Sequence, residues 1–327
     1  KTCDMIDAYS GDAPFFIWAS FDNPHPPIRV PADAPVQYDP ATLDLAQIRR
    51  NTPEDVRLLR QRTSGTRLGG ENIWTAEIHG KDAYRQALAR YYGMVSMVDD
   101  NVGRIVNHLE ERGLLDNTII IFTSDHGDLA GEFGMFGKNT RGHHEALMRV
   151  PMIWYWRGRF GLERVHSVVQ NIDVFPTLCD LLELDVPYTV QGTSFSDVLR
   201  FSASAAGPGP VTSEIAYCES LYCKTVLTRR YRLSYHYDGH ESGELFDRQS
   251  DPDERINLFD DPSYRQVQEL LMRELLKWGI RSDQPRWWGP AESLRPAPEF
   301  RYLREHPDFV GRPTPNQGRV PRNGEAT

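Results

Sequence analysis

The sequence predicts an α/β core followed by a smaller antiparallel subdomain, and three observations carry that prediction. Apolar runs of strand length alternate with helix-period segments as far as about residue 200. A linker of small residues, rich in Ala, Gly and Pro, follows at 202–210. Beyond it come short β-rich runs joined by tight turns such as Asp238-Gly239. The expected division is 1–201 for the core, 211–284 for the antiparallel subdomain with its helix, and 285–327 for an extended tail. The core sheet is expected to be covered by helices on both faces.

Each element has its own reason. Residues 1–9 place Cys3, Ile6 and Tyr9 at helical spacing, as the last turns of a helix would, so further sequence is expected upstream of Lys1. Residues 14–21, Pro-Phe-Phe-Ile-Trp-Ala-Ser-Phe, read as a buried strand. It stops at Pro24-His25-Pro26-Pro27, where missing N–H groups cannot continue a ladder. Residues 31–80 are polar and weakly periodic, an excursion over the surface with a short helix at 53–61.

Residues 84–112 form a long helix, with Leu88, Tyr91, Val95, Val98, Val102, Ile105, Val106 and Leu109 on one stripe and Gly113 as its stop. Strands follow at 118–123, 150–155 and 165–170. A helix is expected over 172–184, capped by Asp173, with Pro176 tolerated in its first turn. Strands at 215–223, 225–228, 231–237 and 244–247 make a meander that an amphipathic helix at 264–278 can cover. Tyr231, Tyr235 and Tyr237 alternate on one strand and read as packing. The eight prolines of 285–327 mark the tail, in which Trp287-Trp288 reads as cover for the sheet edge. No internal repeat is present.

Composition narrows the function. A chain of 327 residues buries a full core and has room for about two domains. Hydrophobic content of 39% with 25% charged residues is that of an ordinary globular protein. A net charge of −9 argues against nucleic acid as the partner, because phosphate binding needs a basic face. No stretch approaches the roughly 18 apolar residues that span a bilayer. Four cysteines are too few for a disulfide framework. Cys3 and Cys179 stand alone; Cys218 and Cys223 are close enough to pair across a hairpin, although two free thiols is the preferred reading.

The chemistry concentrates at 118–127, Thr-Ile-Ile-Ile-Phe-Thr-Ser-Asp-His-Gly. An apolar run ends at Ser124-Asp125-His126-Gly127, and ligands of open α/β sheets bind beyond the carboxyl ends of strands. Asp125 offers hard oxygen and His126 a borderline nitrogen, a pairing that suits a divalent cation. Gly127 lets the chain turn there. Lys138 follows thirteen residues after Asp125, in a glycine-rich loop, and His25 follows the first strand. Each has a plain structural alternative: a helix cap for Asp125, a satisfied turn histidine for His126, a rigid-turn histidine for His25 and a solvated surface charge for Lys138. His143-His144 read as loop histidines beside Glu145, Arg141 as a solvated cation, and Asp99-Asp100 as helix-surface residues.

Taken in order, Asp125-His126-Gly127-Asp128, Gly131-Glu132, Lys138 and Arg149-Val150-Pro151 resemble the C-terminal half of the sulfatase family, in the alkaline phosphatase superfamily. The resemblance extends to Pro14-Phe15-Phe16 with Pro24-His25-Pro26-Pro27, to Tyr91-Tyr92 through Gly103-Arg104, and to 173–178. It continues through Gln191-Gly192-Thr193-Ser194-Phe195, Glu244-Leu245-Phe246-Asp247, Asp251-Pro252-Asp253-Glu254 and Asn257-Leu258. It implies an alkaline-phosphatase-like fold and hydrolysis of an organic sulfate ester, small-molecule or carbohydrate. It implies that Asp125 and His126 hold one divalent metal, with Ca2+ the first choice and Mg2+, Mn2+ or Zn2+ as alternatives. Lys138 would contact the sulfate oxygens, and His25 would assist the leaving alcohol.

The chain also departs from the pattern. The family's nucleophile lies in a Cys-x-Pro-Ser-Arg or Ser-x-Pro-Ser-Arg segment and is converted to formylglycine; no such segment occurs here. Cys3 is followed by Asp4-Met5-Ile6 and does not fit. The aspartate pair expected after the family's first strand and its Gly-Lys-x-His segment are missing too. Truncation is the simplest account, and the 327 residues alone are expected to be inactive. A phosphonate monoester or phosphodiester hydrolase of the same superfamily is the nearest rival. A non-catalytic binding module is the third reading, which the joint presence of Asp125, His126, Lys138 and His25 argues against.

Overall fold

The computed structural model describes residues 1–11, 13–43, 74–130, 132, 135–138, 143–162, 164–165, 167–202, 213–220, 223–237 and 242–282. The chain divides into two compact units, Lys1–Thr140 with Glu145–Gly158, and Arg141–His144 with Arg159–Thr327. The expected helix at 53–61, Asp238-Gly239, Arg141, the 203–210 linker, Trp287-Trp288 and the tail lie outside the described residues.

In the first unit, α1 (Thr2–Asp7) and the long α2 (Ala76–Glu111) build the core. The helix begins eight residues before the expected start. Its first turns carry too few apolar residues to register as a stripe, and they extend a helix whose nucleation cost is already met downstream. At the other end Gly113 N–H donates to Glu110 O and Leu114 N–H to Leu109 O, which closes the helix where expected. Ile6, Leu109 and Leu115 are buried against Phe15, Ile17, Ile105, Val106, Leu114 and Ile120. A second cluster joins Tyr84, Ala87 and Leu88 to Ile28 and Leu43.

The strands of this unit are short. β2 (Ile120–Thr123) pairs antiparallel with β4 (Met152–Tyr155), placing Ile121 opposite Trp154, and β1 (Trp74–Thr75) pairs with β3 (Met135–Phe136). The expected strand at 14–21 is not one: the segment joins no ladder among the described residues. It nonetheless keeps a strand's two-residue alternation. Phe15 and Ile17 pack into the core, whereas Phe16 is 76% and Trp18 81% exposed. The described residues of 165–170 form no strand either.

In the second unit, a turn at Asn171–Asp173 leads into α4 (Val174–Leu181), and α5 (Ser196–Ser202) follows; α3 (Glu145–Met148) precedes them in the first unit. The Asp173 carboxylate does not cap α4. It accepts instead from Gln170 N at 2.9 Å and Thr193 N at 2.8 Å, which fastens the 191–196 loop to the helix entry.

The expected meander is present, with β5 (Ile215–Ser220), β6 (Cys223–Thr228), β7 (Tyr231–His236) and β8 (Ser242–Asp247) in sequential antiparallel order. α6 (Arg265–Ser282) covers one face, where Leu271 and Leu275 meet Ile215, Val226, Tyr231, Leu233 and Leu245. Tyr217 and Tyr235 pack there as well, but Tyr237 is 45% exposed rather than packed. All four cysteines are free. Cys218 faces Thr225 and Cys223 faces Ser220, so the two thiols are not cross-strand neighbours.

The opposite face of this sheet is buried yet polar. Arg232 has no exposed side-chain surface, and its guanidinium is 3.2 Å from Glu244 and 2.8 Å from Glu254. Arg248 approaches Glu254 at 3.5 Å. Strand alternation places Thr225, Ser234 and His236 on the same side as Arg232 and Glu244.

Candidate functional site

The strand β2 delivers Ser124-Asp125-His126-Gly127 to its carboxyl end, as the sequence leads one to expect. Gly127 is required there by a close approach rather than by a left-handed turn. A Cβ at this position would lie 1.9 Å from the Ala146 carbonyl oxygen, and Gly127 N–H donates to Leu147 O at 2.8 Å. The backbone of α3 thus lies directly against the motif.

Local hydrogen bonds aim the two candidate ligands. Asp125 Oδ1 accepts from its neighbour His126 N at 2.9 Å and from Ser124 Oγ at 3.3 Å. Burial pushes the Asp125 carboxyl up, but the His126 amide, the adjacent imidazole and the serine outweigh it, leaving the pKa below its ordinary value. The side chain is 82% exposed and stays an open carboxylate. His126 Nδ1 lies 2.7 Å from Gly127 O. A carbonyl only accepts, so Nδ1 carries the proton and Nε2 presents its lone pair.

Lys138 is brought to that lone pair. Its Nζ lies 2.9 Å from His126 Nε2, and Asp125 Oδ2 lies 3.5 Å from the same nitrogen. The loop that returns the lysine is held by Asp128, a residue whose role sequence reasoning left open. Asp128 Oδ1 accepts from Ala130 N at 2.7 Å and from Gly137 N at 3.0 Å, and Leu129 N–H donates to Gly137 O. Gly137 sits at φ +97, a conformation that glycine reaches without strain, immediately before Lys138. A carboxylate two positions after His126 was visible in the sequence; that it accepts amides across the loop was not.

Asp125 and His126 fit a shared cation. Two donors on one divalent ion, each about 2.0–2.4 Å from it, sit roughly 3–3.5 Å apart. The Oδ2–Nε2 separation of 3.5 Å lies within that range. Among the described residues no third His, Cys, Asp or Glu joins them. A metal on Nε2 would displace the Lys138 hydrogen bond.

His25 lies in a turn closed by its own N–H to Asp22 O at 2.9 Å, between cis peptides at Asn23-Pro24 and Pro26-Pro27. Its Nδ1 is 2.7 Å from Pro26 O, so its contacts are local. Asp99 and Asp100 are exposed on α2, as expected for helix-surface residues. His143 and His144 are not open loop histidines: they are 9% and 5% exposed, and His143 Nδ1 meets Thr225 Oγ1 at 2.7 Å. No helix of the described residues is long and apolar enough to cross a membrane.

The chain is similar to known proteins along most of its length. The family model for sulfatases matches residues 2–184, more than half of the chain. The model for the C-terminal part of N-sulphoglucosamine sulphohydrolase matches 131–280. An N-acetylglucosamine-6-O-sulfatase of Bacteroides thetaiotaomicron is 32% identical over 59% of this chain and 35% of its own length. An arylsulfatase of Clostridium perfringens is 28% identical over 85% of this chain and 56% of its own. The chain therefore spans between about a third and three fifths of the curated relatives it matches.

Among solved structures, BT4656 in complex with its substrate D-glucosamine-2-N,6-O-disulfate is similar at 29% identity and TM-score 0.54, over 71% of this chain and 47% of that one. A phosphonate monoester hydrolase of Agrobacterium radiobacter shares the fold at 24% identity and TM-score 0.71, over 86% of this chain and 59% of that one. The fold is thus the alkaline-phosphatase-like α/β fold, and the chain belongs to the sulfatase family.

Proposed function

We propose that this chain is the C-terminal part of a metal-dependent sulfatase, and that the longer polypeptide hydrolyses an organic sulfate ester. One observation carries the reading: in a chain of this family, Asp125 Oδ2 and Lys138 Nζ both lie within 3.5 Å of His126 Nε2. Asp125 and His126 supply two ligands of a divalent cation, with Ca2+ the first choice for its carboxylate-tolerant coordination. When bound, the cation supplies positive charge at the reacting group.

The chain's own residues do the rest. Lys138 offers its ammonium to the sulfate oxygens, whose charge rises in the transition state. His25 donates a hydrogen bond or proton to the leaving alcohol, where negative charge develops. Asp128 fixes the Gly137 amide, one residue before Lys138, and so limits the backbone freedom from which the lysine reaches the group. The formylglycine nucleophile and the remaining metal ligands belong to sequence outside these 327 residues. The exposure of Phe16 and Trp18 supports this, since large apolar side chains left open at alternate positions call for a cover.

A sulfated sugar is the favoured substrate class, supported by the N-acetylglucosamine-6-O-sulfatase relative and by the BT4656 complex. Phosphonate or phosphodiester cleavage is the second reading. It is favoured by 25% identity over 82% of the chain to a multifunctional alkaline phosphatase superfamily protein, PehA of Trinickia caryophylli. Parallel assays of an aryl sulfate and an aryl phosphodiester on the longer polypeptide separate the two. The purified 327-residue chain is expected to show no turnover of the sulfate. Hydrolysis above the blank by that chain alone would overturn the assignment of the nucleophile to missing sequence.

A further inference from the structure

The helix α2 carries two glycines well inside its length, Gly93 and Gly103. Glycine weakens a helix interior, so its presence there calls for a reason. The two positions differ in what surrounds them. A Cβ at Gly103 would meet no neighbouring atom of the described residues within 4 Å. A Cβ at Gly93 would lie 2.9 Å from Val30 Cγ2 and 3.3 Å from Val30 Cγ1. Gly93 is buried and Val30 half-buried, and a side chain branched at Cβ cannot easily swing its methyls aside. The side chain missing at Gly93 is therefore the space that Val30 fills.

Val30 lies on the segment that carries His25, and this segment meets α2 on both sides of the histidine, all within the first unit. Upstream, Phe21, Asp22 and Asn23 line an open cleft together with Met97, Val98 and Asn101 of α2. Downstream the packing is close. Ile28 joins Tyr84, Ala87 and Leu88, and Val30 enters at Gly93. Tyr38 then meets Tyr92 edge-on at 5.6 Å, with its hydroxyl 3.0 Å from Ser96 Oγ. Between His25 and Ile28 stand Pro26 and Pro27, whose rings each fix a φ angle. His25 is tied into the turn by its N–H to Asp22 O, and its Nδ1 meets Pro26 O. The seat of Val30 is thus joined to the imidazole by a stiff arm.

We propose that Gly93 is a positioning residue for His25: the absence of a side chain there lets Val30 seat the downstream arm of the His25 turn on α2. The catalytic consequence rests on the role proposed for His25, but the seat does not, and it is read on the 327-residue chain without any turnover. Helix propensity by itself favours alanine over glycine, so Gly103→Ala should raise the melting temperature. Gly93→Ala should lower it, because the added methyl overpacks against Val30. Gly93→Ala should also speed amide hydrogen exchange at His25 about threefold to tenfold and shift the His25 Cε1–H resonance. Val30→Ala, which removes the seat without crowding it, should speed exchange at the same amide. The double variant Gly93→Ala with Val30→Ala adds one methyl where two are removed, and should restore slow exchange and the parent resonance. Amides of α2 from Asn101 to Glu111 should exchange as in the parent throughout. A Gly93→Ala chain stabilised like Gly103→Ala, with exchange at His25 unchanged, would overturn the proposal. Failure of Val30→Ala to rescue Gly93→Ala would also overturn it. So would equal acceleration along all of α2, because Gly93 would then matter to the helix alone.

Discussion

The corner formed by Asp125, His126 and Lys138 and the buried face formed by Arg232, Glu244 and Glu254 contain similar side chains in opposite circumstances. In the first, Asp125 is 82% exposed and its partners are its own neighbours Ser124 and His126, the latter beside Lys138. In the second, every charged group is at most 1% exposed and opposite charges meet within 3.2 Å. A buried, paired network holds a fold in one arrangement and has no freedom to receive a ligand. An open carboxylate beside a lone pair keeps its binding capacity in hand. Charge alone does not mark a functional residue; charge left accessible by a rigid support does.

That contrast can be broken most forcefully at Arg232. Arg232→Ala removes the buried cation that Glu244 and Glu254 share, so it should cost about 3–5 kcal/mol of stability by urea unfolding. A loss under about 1 kcal/mol would show that the network is not the structural support described.

A smaller effect is expected from pH. Burial, with the Arg232 guanidinium adding to it, pushes the His143 imidazole down to about 4. The folded pKa lies below the unfolded value of about 6.5, so the unfolded chain takes up the proton first. This contribution is complete above about pH 6.5 and is lost as pH falls toward 4. Between pH 7 and pH 4.5 the loss should be roughly 2–3 kcal/mol, and His143→Gln should remove it. A parent and variant with equal pH dependence would contradict the burial assigned to His143.

The smallest effect is expected at the exposed corner. Asp125→Ala should change stability by no more than about 0.5 kcal/mol, because the carboxylate is open to water. The same change should abolish any rise in melting temperature that Ca2+ produces in the parent. Calcium stabilisation that survives in the variant would remove Asp125 from the metal site.

Much of this was legible in the sequence where the signal was local. The meander announced itself through period-two alternation and tight turns, and α2 through its apolar stripe. The Asp125-His126 pair stood out because polar ligands followed an apolar strand without a break. What stayed hidden depended on contacts distant in sequence. Residues 14–21 have a strand's composition, but strand status needs a ladder partner, which composition does not supply. The Asp128 carboxylate binds an amide nine residues away, and Asp173 reaches Thr193. His143 looked like a loop histidine because Thr225, 82 residues on, gives no local sign of meeting it. The charges at 232 and 244 were the one available hint of a polar buried face, since they interrupt strands otherwise rich in apolar residues.

The most direct measurement compares aryl-sulfate hydrolysis by the longer polypeptide with and without Lys138→Ala, at matched folding. Loss of a positioned cation at the developing charge should lower kcat about 10²–10³-fold, with the melting temperature unchanged. A kcat within about threefold of the parent, far short of the effect such a group has, would contradict the account of this corner as half of a sulfatase active site.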